Sequence, residues 1–192
     1  MPSNETLLPL CDRNNSVLVI IDIQQKLAAA MPDKIMQKVI ADTQLLIKAA
    51  TLLNIPVLVS EQYPAGLGST LDELSTSLDA KTQAIDKTCF SCVSNQKFKD
   101  ALKALNKKQV ILAGMETHIC VTQTAIELLA LDYQVFIATD AVCSRKISHH
   151  QNAIQRMQHA GCITTNSESI SFEWLRDANH SQFKAISKLV TS

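Results

Sequence analysis

Residues 17 to 21, VLVII, form an uninterrupted apolar run dominated by β-branched side chains. Without polar alternation, such a run suits a strand covered on both faces, as in a parallel sheet wrapped by helices. The rest of the chain repeats the theme. A helical pattern opens at Pro32-Asp33, carries Ile35, Val39, Leu46, Ala50 and Leu53 at spacings near three and four, and stops at Asn54. IPVLVS at 55 to 60 predicts a second strand, Gln62 to Ser69 a loop punctuated by Pro64, Gly66 and Gly68, and 82 to 86 a short third strand. Next come a helix over 95 to 105, a strand QVILAG at 109 to 114, a helix from Cys120 to Leu131 and a strand QVFIAT at 134 to 139. A helix at 148 to 159, a short strand at 162 to 165 and one or two terminal helices complete the pattern.

Strands alternating with helices at this spacing predict one α/β domain over residues 1 to 192, its core running from about 16 to 190. The expected architecture is three-layered, α/β/α, around a Rossmann-like, doubly wound, mostly parallel six-stranded sheet in the order 3-2-1-4-5-6. Bulk properties narrow the function. Eighteen basic residues balance eighteen acidic ones, so no electropositive footprint for nucleic acid is expected. The N-terminal MPSNETLLPL has an acidic residue where a signal peptide has its cationic region, and its apolar run is too short for a membrane span. The expected location is the cytoplasm, with no membrane partner.

Six cysteines, at 11, 89, 92, 120, 143 and 162, are too few and scattered for a disulfide framework. Cys89 and Cys92 form a C-x-x-C, but a zinc site needs two further ligands at comparable spacing, and none is near. A redox role for that pair would need a preceding strand and a following helix, which Ser91 and Val93 do not clearly supply.

In doubly wound sheets, ligands bind beyond the carboxyl ends of the strands, where the strand order reverses. Strands one and four meet there, so Asp22 and the segment GMETHIC, 114 to 120, face one crevice. Cys120 lies where a loop turns into a helix, whose amino end favours thiolate and offers backbone N–H groups to an oxyanion. It is equally readable as a small buried hydrophobe. Asp22 is either a loop or helix cap or a proton acceptor beside the thiol. Lys87, in AIDKTCFS, is either a solvated charge or a buried ammonium that steadies both anions. His118 offers an alternative base, but residues two apart in a turn tend to point apart, which suits packing or the pocket rim. The pair His149-His150 reads as a polar helix start.

These three residues carry a likeness. With Asp22-Ile-Gln24 after the first strand, Lys87 in KTCFS, AGMETHICV around Cys120 and EQYPAGLG at 61 to 68, the chain resembles the isochorismatase-like cysteine hydrolases from about Val17 to Val190. The resemblance implies a triad of Asp22, Lys87 and Cys120. It further implies a cis peptide at Met115-Glu116 and an oxyanion hole from the backbone N–H groups of Glu116 and Cys120. Gln24, Tyr63, Phe90, Thr117 and Ile119 are the candidate pocket residues. The nicotinamidase branch carries an Asp-x-His and a later His that hold a metal, whereas SEQYPAGLGST here contains no His. No metal or other cofactor is therefore expected, and nicotinamide is disfavoured as substrate.

A nucleophilic cysteine favours acyl chemistry over the vinyl ether cleavage of true isochorismatases. The expected function is hydrolysis of a small amide, carbamoyl or related acyl compound through a thioester. The alternatives are a catalytically silent binding or interaction module on the same fold and an isochorismate-type vinyl ether hydrolase.

The resemblance also implies a homo-oligomer, and Tyr63, Leu67 and Ile119 place apolar groups near the crevice where one subunit could wall off another's site. Light scattering at micromolar concentration should give a mass at least twice the chain's 21.1 kDa; a stable monomer would refute the expectation.

Overall fold

The computed structural model describes residues 10 to 191. The signal-peptide reading of MPSNETLLPL therefore falls, except for Leu10, outside the described residues. The elements are β1 (Ser16–Ile21), α1 (Gln25–Ala28), α2 (Asp33–Leu52), β2 (Val57–Gln62), α3 (Pro64–Leu67), α4 (Asp72–Ser75), β3 (Ala84–Lys87) and α5 (Gln96–Ala104). They continue with β4 (Gln109–Met115), a π-helical turn (Thr117–Val121), α6 (Thr122–Ala130), β5 (Gln134–Cys143), α7 (Ile147–Ala160), β6 (Ile163–Thr165), α8 (Ser167–Leu175) and α9 (Phe183–Thr191). All six strands run parallel in one sheet ordered β3-β2-β1-β4-β5-β6.

The central strand explains the layering. Every residue of β1 is buried, and its side chains alternate between two cores. Leu18 and Ile20 join Leu46, Ile47 and Ala50 of α2 and Ile170 and Trp174 of α8 on one face. Val17, Val19 and Ile21 join Phe98 and Leu102 of α5, Leu128 of α6 and Met157 of α7 on the other. Each buried Val, Leu, Ile, Phe or Met side chain among them stabilises the fold by about 1.5–3 kcal/mol.

Several expected boundaries shift. The second strand starts at Val57 rather than 55, because Ile55 N–H donates back to the Ala50 carbonyl at 2.8 Å to close α2 after a left-handed Asn54. The segment read as the loop 62 to 69 contains the one-turn helix α3. The third strand ends on Lys87, two registers beyond Ile85. Most consequentially, the helix expected from Cys120 is preceded by the π-helical turn, in which the Val121 N–H reaches the Glu116 carbonyl at 3.3 Å and the Thr122 hydroxyl donates to the Thr117 carbonyl at 2.6 Å. Cys120 thus sits inside a turn and not at the first position of a regular helix. Among the described residues no helix is long and apolar enough to cross a membrane.

At the reversal of strand order, Gly114 of β4 lies opposite Ile21 of β1. A Cβ at Gly114 would stand 2.0 Å from the Ile21 carbonyl oxygen, and its φ of 126° suits glycine. Glycine therefore permits the close approach of the two strand ends that carry Asp22 and the Cys120 loop. Gly161, which ends α7 at φ 110°, has nothing within 4 Å of the corresponding position. Gly161→Ala should cost only about 1 kcal/mol of left-handed strain, whereas Gly114→Ala should cost at least about 3 kcal/mol, since backbone must move. Urea unfolding midpoints of the two variants test this, and equal losses would contradict the packing account.

Candidate active site

Parallel pairing brings the carboxyl ends of β1, β2, β3 and β4 to one edge of the sheet. Asp22 follows β1 with a left-handed φ of 54° and no solvent exposure. Its main chain is anchored by its N–H to the Ser60 carbonyl at 3.1 Å. The two carboxylate oxygens have separate partners: the Ser60 hydroxyl donates to Oδ1 at 2.7 Å, and Lys87 Nζ donates to Oδ2 at 2.7 Å.

Lys87 reaches this point because β3 ends on it. Its side chain is 1% exposed. Besides Asp22, the ammonium meets Gln62 Oε1 at 2.7 Å, the Phe90 carbonyl at 3.1 Å and the Cys89 carbonyl at 3.3 Å. Burial alone would lower its pKa, but the Asp22 carboxylate, through its charge and its hydrogen bond, offsets this and helps hold it above the ordinary lysine value. The ammonium is therefore a fixed positive charge at neutral pH.

Cys120 completes the group: it is buried, and close enough for the Asp22 carboxylate to act on its thiol. Burial first, and the Asp22 carboxylate second, push its thiol pKa well above the ordinary value, while Lys87 pulls weakly the other way. Desolvation and an adjacent anion thus act against the thiolate that the turn was expected to favour, and they leave a thiol beside a carboxylate. Such a pair can transfer a proton at the moment of attack.

The remaining candidates separate into rim and frame. Tyr63 and Phe90 are 57% and 53% exposed, and Ile119 is half-buried. Tyr63 and Lys87 border a cleft of about 360 Å³ with Pro64, Asp86, Thr88 and Asn95. Gln24 is not a lining residue: it is wholly buried, with its amide nitrogen on the Gln62 and Gly68 carbonyls at 3.0 and 2.6 Å and its oxygen on the Gln62 N–H at 2.7 Å. It works as a strut, because a buried amide must spend its polar atoms on fixed partners. Thr117 is also wholly buried, its hydroxyl 3.1 Å from His150 Nδ1.

The Met115–Glu116 peptide is cis. The loop that contains it is tied to the segment after β5. Glu116 accepts from Arg145 N at 2.9 Å and Nε at 3.1 Å, and His118 Nδ1 lies 3.0 Å from Ser144 Oγ. The His118 ring meets the His149 ring in a tilted contact, centroids 4.7 Å apart at 51°, which fits packing better than a base.

Ser60 and Gln62 join the site without having been singled out in the sequence, and Cys92 joins it in a place that its C-x-x-C spacing did not suggest. Ser60 pairs with Ile21 in register and so sits beside Asp22; the strand-end rule that found Asp22 applies equally to it. Cys92, half of the C-x-x-C, is buried with Sγ 3.4 Å from Ser60 Oγ, while Cys89 is half-buried. All six cysteines are free. Among the described residues no three His, Cys, Asp or Glu side chains cluster as a metal site.

The thiols make stability sensitive to base. Burial raises Cys92 to about 11 and Cys143 and Cys162 to about 12, and lifts Cys11 and Cys120 as well, all from an ordinary 9.0. A folded pKa above the unfolded one means this contribution is complete below pH 9.0 and is lost as pH rises through the folded values. Urea midpoints should therefore hold up to about pH 9 and fall steadily toward pH 12; a flat profile across that window would be inconsistent with buried, protonated thiols.

Comparison with known proteins places the chain among relatives. The Isochorismatase domain matches residues 16–169. Isochorismatase domain-containing protein 1 of Danio rerio is 35% identical over 175 residues, 91% of this chain and 60% of that protein, so the chain spans less than two thirds of this relative. The secreted isochorismatase effector Isc1 of Phytophthora sojae is 36% identical over 183 residues, covering 92% of this chain and 85% of that protein. Among solved structures, the MAR1 ribonuclease of Caenorhabditis elegans superposes with a TM-score of 0.89 at 37% identity, over 95% of this chain and 93% of that one. The Escherichia coli YcaC gene product, described as an octameric hydrolase of unknown specificity, superposes with a TM-score of 0.81 at 26% identity over 95% of both chains. With matching domain, strand order and relatives, this chain belongs to the isochorismatase family.

Proposed function

We propose that the chain is a cysteine-dependent hydrolase of a small amide, carbamoyl or related acyl compound. The supporting observation is the Asp22 carboxylate, held on one oxygen by Lys87 and on the other by Ser60, close enough to the buried Cys120 thiol to act on it electrostatically. In the proposed cycle, Asp22 takes the thiol proton as Cys120 sulfur attacks the carbonyl carbon, and the carbonyl electrons move to oxygen. The backbone N–H groups of Glu116 and Cys120 are the proposed donors to that oxyanion. Asp22 then delivers the proton to the departing nitrogen as the C–N bond breaks, leaving a thioester. Water, deprotonated by Asp22, attacks the thioester and releases the acid and the thiol. Lys87 keeps its proton throughout and stabilises Asp22 between transfers.

The proposed assembly is a homo-oligomer, for which the octameric YcaC relative and the exposed Tyr63 and Phe90 beside the site are the support. The proposed compartment is the cytoplasm, supported by six unpaired cysteines, although the Phytophthora relative is named as secreted. The ribonuclease relative makes RNA a substrate to be compared, but a formal net charge of +0 offers little attraction to a phosphate backbone.

A screen of amides, carbamoyl compounds, isochorismate and RNA, run with wild type beside Cys120→Ala, tests the proposal. Turnover of an amide or carbamoyl compound should fall by roughly 10³-fold or more in the variant, and a mass increment on Cys120 should appear when the wild type is quenched during turnover. Full activity of Cys120→Ala would refute it. Preferential cleavage of isochorismate or RNA would replace it, and binding without turnover would support a silent module.

A further inference from the structure

Asp22 has to be an acceptor, correctly rotated and ionised, each time Cys120 gives up its proton, yet it lies wholly out of solvent. Lys87 secures only Oδ2. Oδ1 is held by Ser60, whose hydroxyl stands at 2.7 Å with both groups buried. Ser60 cannot drift, since its strand pairs with Ile21 in register and its carbonyl accepts the Asp22 N–H at 3.1 Å. On its far side, Cys92 Sγ lies 3.4 Å from Ser60 Oγ and donates to it. A hydroxyl that already accepts from one neighbour turns its own proton toward the other, here the carboxylate.

We infer that Ser60 is a positioning residue for the hydrolytic centre: its hydroxyl fixes the Asp22 carboxylate in one rotamer and holds it in the ionised form that accepts the Cys120 proton. This rests on the proposed role of Asp22 as acceptor. The ionisable groups facing Asp22 are Lys87 at the end of β3, Cys120 in the π-helical turn and Cys92 ahead of α5, so Ser60 is the donor that does not titrate. A hydrogen bond to the charged form of a carboxylate favours that form, and deleting it makes the group hold a proton to higher pH. Glu61, next to Ser60 on the strand, is turned away and bonded to Thr70 N–H and hydroxyl, both at 2.7 Å.

The test needs no substrate. The rate at which iodoacetamide alkylates Cys120, followed by peptide mass spectrometry across pH, reports whether the Asp22–Cys120 pair has lost its first proton. Ser60→Ala should move the acid limb of this profile upward by about one pH unit and slow the plateau roughly tenfold. Ser60→Thr, which keeps the hydroxyl, should restore the wild-type limb, and Ser60→Ala should add no further shift to Asp22→Asn. An unmoved limb in Ser60→Ala, while Asp22→Asn does alter the profile, overturns the role of Ser60 alone. An Asp22→Asn profile identical to wild type overturns the acceptor role of Asp22 itself, and the inference with it.

Discussion

The buried ion pair between Lys87 and Asp22 is the constraint on which the carboxyl edge of the sheet depends. Withdrawing an ammonium and a carboxylate from water costs several kcal/mol per ion, and mutual attraction offsets this only when the remaining donors and acceptors are also satisfied. The edge is built to do so. Gln62 and the carbonyls of Cys89 and Phe90 receive the protons of Lys87 that Asp22 leaves over, and Ser60 serves the second carboxylate oxygen. Gln62 is in turn held by Gln24, so the residue two positions after Asp22 stabilises the residue that stabilises Lys87.

The thiol is added to this pair by the other half of the fold. Because β4 lies directly beside β1, the loop leaving β4 passes over Asp22, and the absence of a side chain at Gly114 lets it do so closely. The π-helical turn then sets Cys120 within reach of the carboxylate instead of extending a regular helix from its first residue. Ties from Glu116, Thr117 and His118 to Arg145, His150 and Ser144 brace this loop from the β5 side. The electrostatic consequence is a protonated Cys120, since desolvation and the adjacent Asp22 carboxylate both favour the thiol.

A thiol, a carboxylate and an ammonium carry, together, no more charge than a neutral site plus one zwitterionic pair. In the proposed cycle one proton would pass between Cys120 and Asp22 while Lys87 remains charged, so that no second unpaired anion arises in the protein interior. The exposed aromatic rim of Tyr63 and Phe90 stands apart from this interior and is shaped by loops rather than by the sheet.

Hydrophobic runs and their periodicities are local properties, and they predicted the alternating elements and the buried central strand, with the strand order following from the doubly wound pattern; Asp22 stood out as the end of such a run, whereas Lys87 and Cys120 were each open to a plain structural reading until the family resemblance grouped the three. Element edges were less legible. Ile55 belongs to the closure of α2, and Cys120 to a five-residue turn, because backbone hydrogen bonds that compete at a boundary leave little trace in side-chain pattern. What only the tertiary structure decided is who meets whom at the edge. Ser60 reaches Asp22 across 38 positions of sequence and Lys87 across 65, and Gln24 became a strut because Gln62 and Gly68 fall around its amide. Those pairings follow from parallel register and loop closure, which bring distant residues within about 3 Å of one another; no local pattern encodes a distance of that kind.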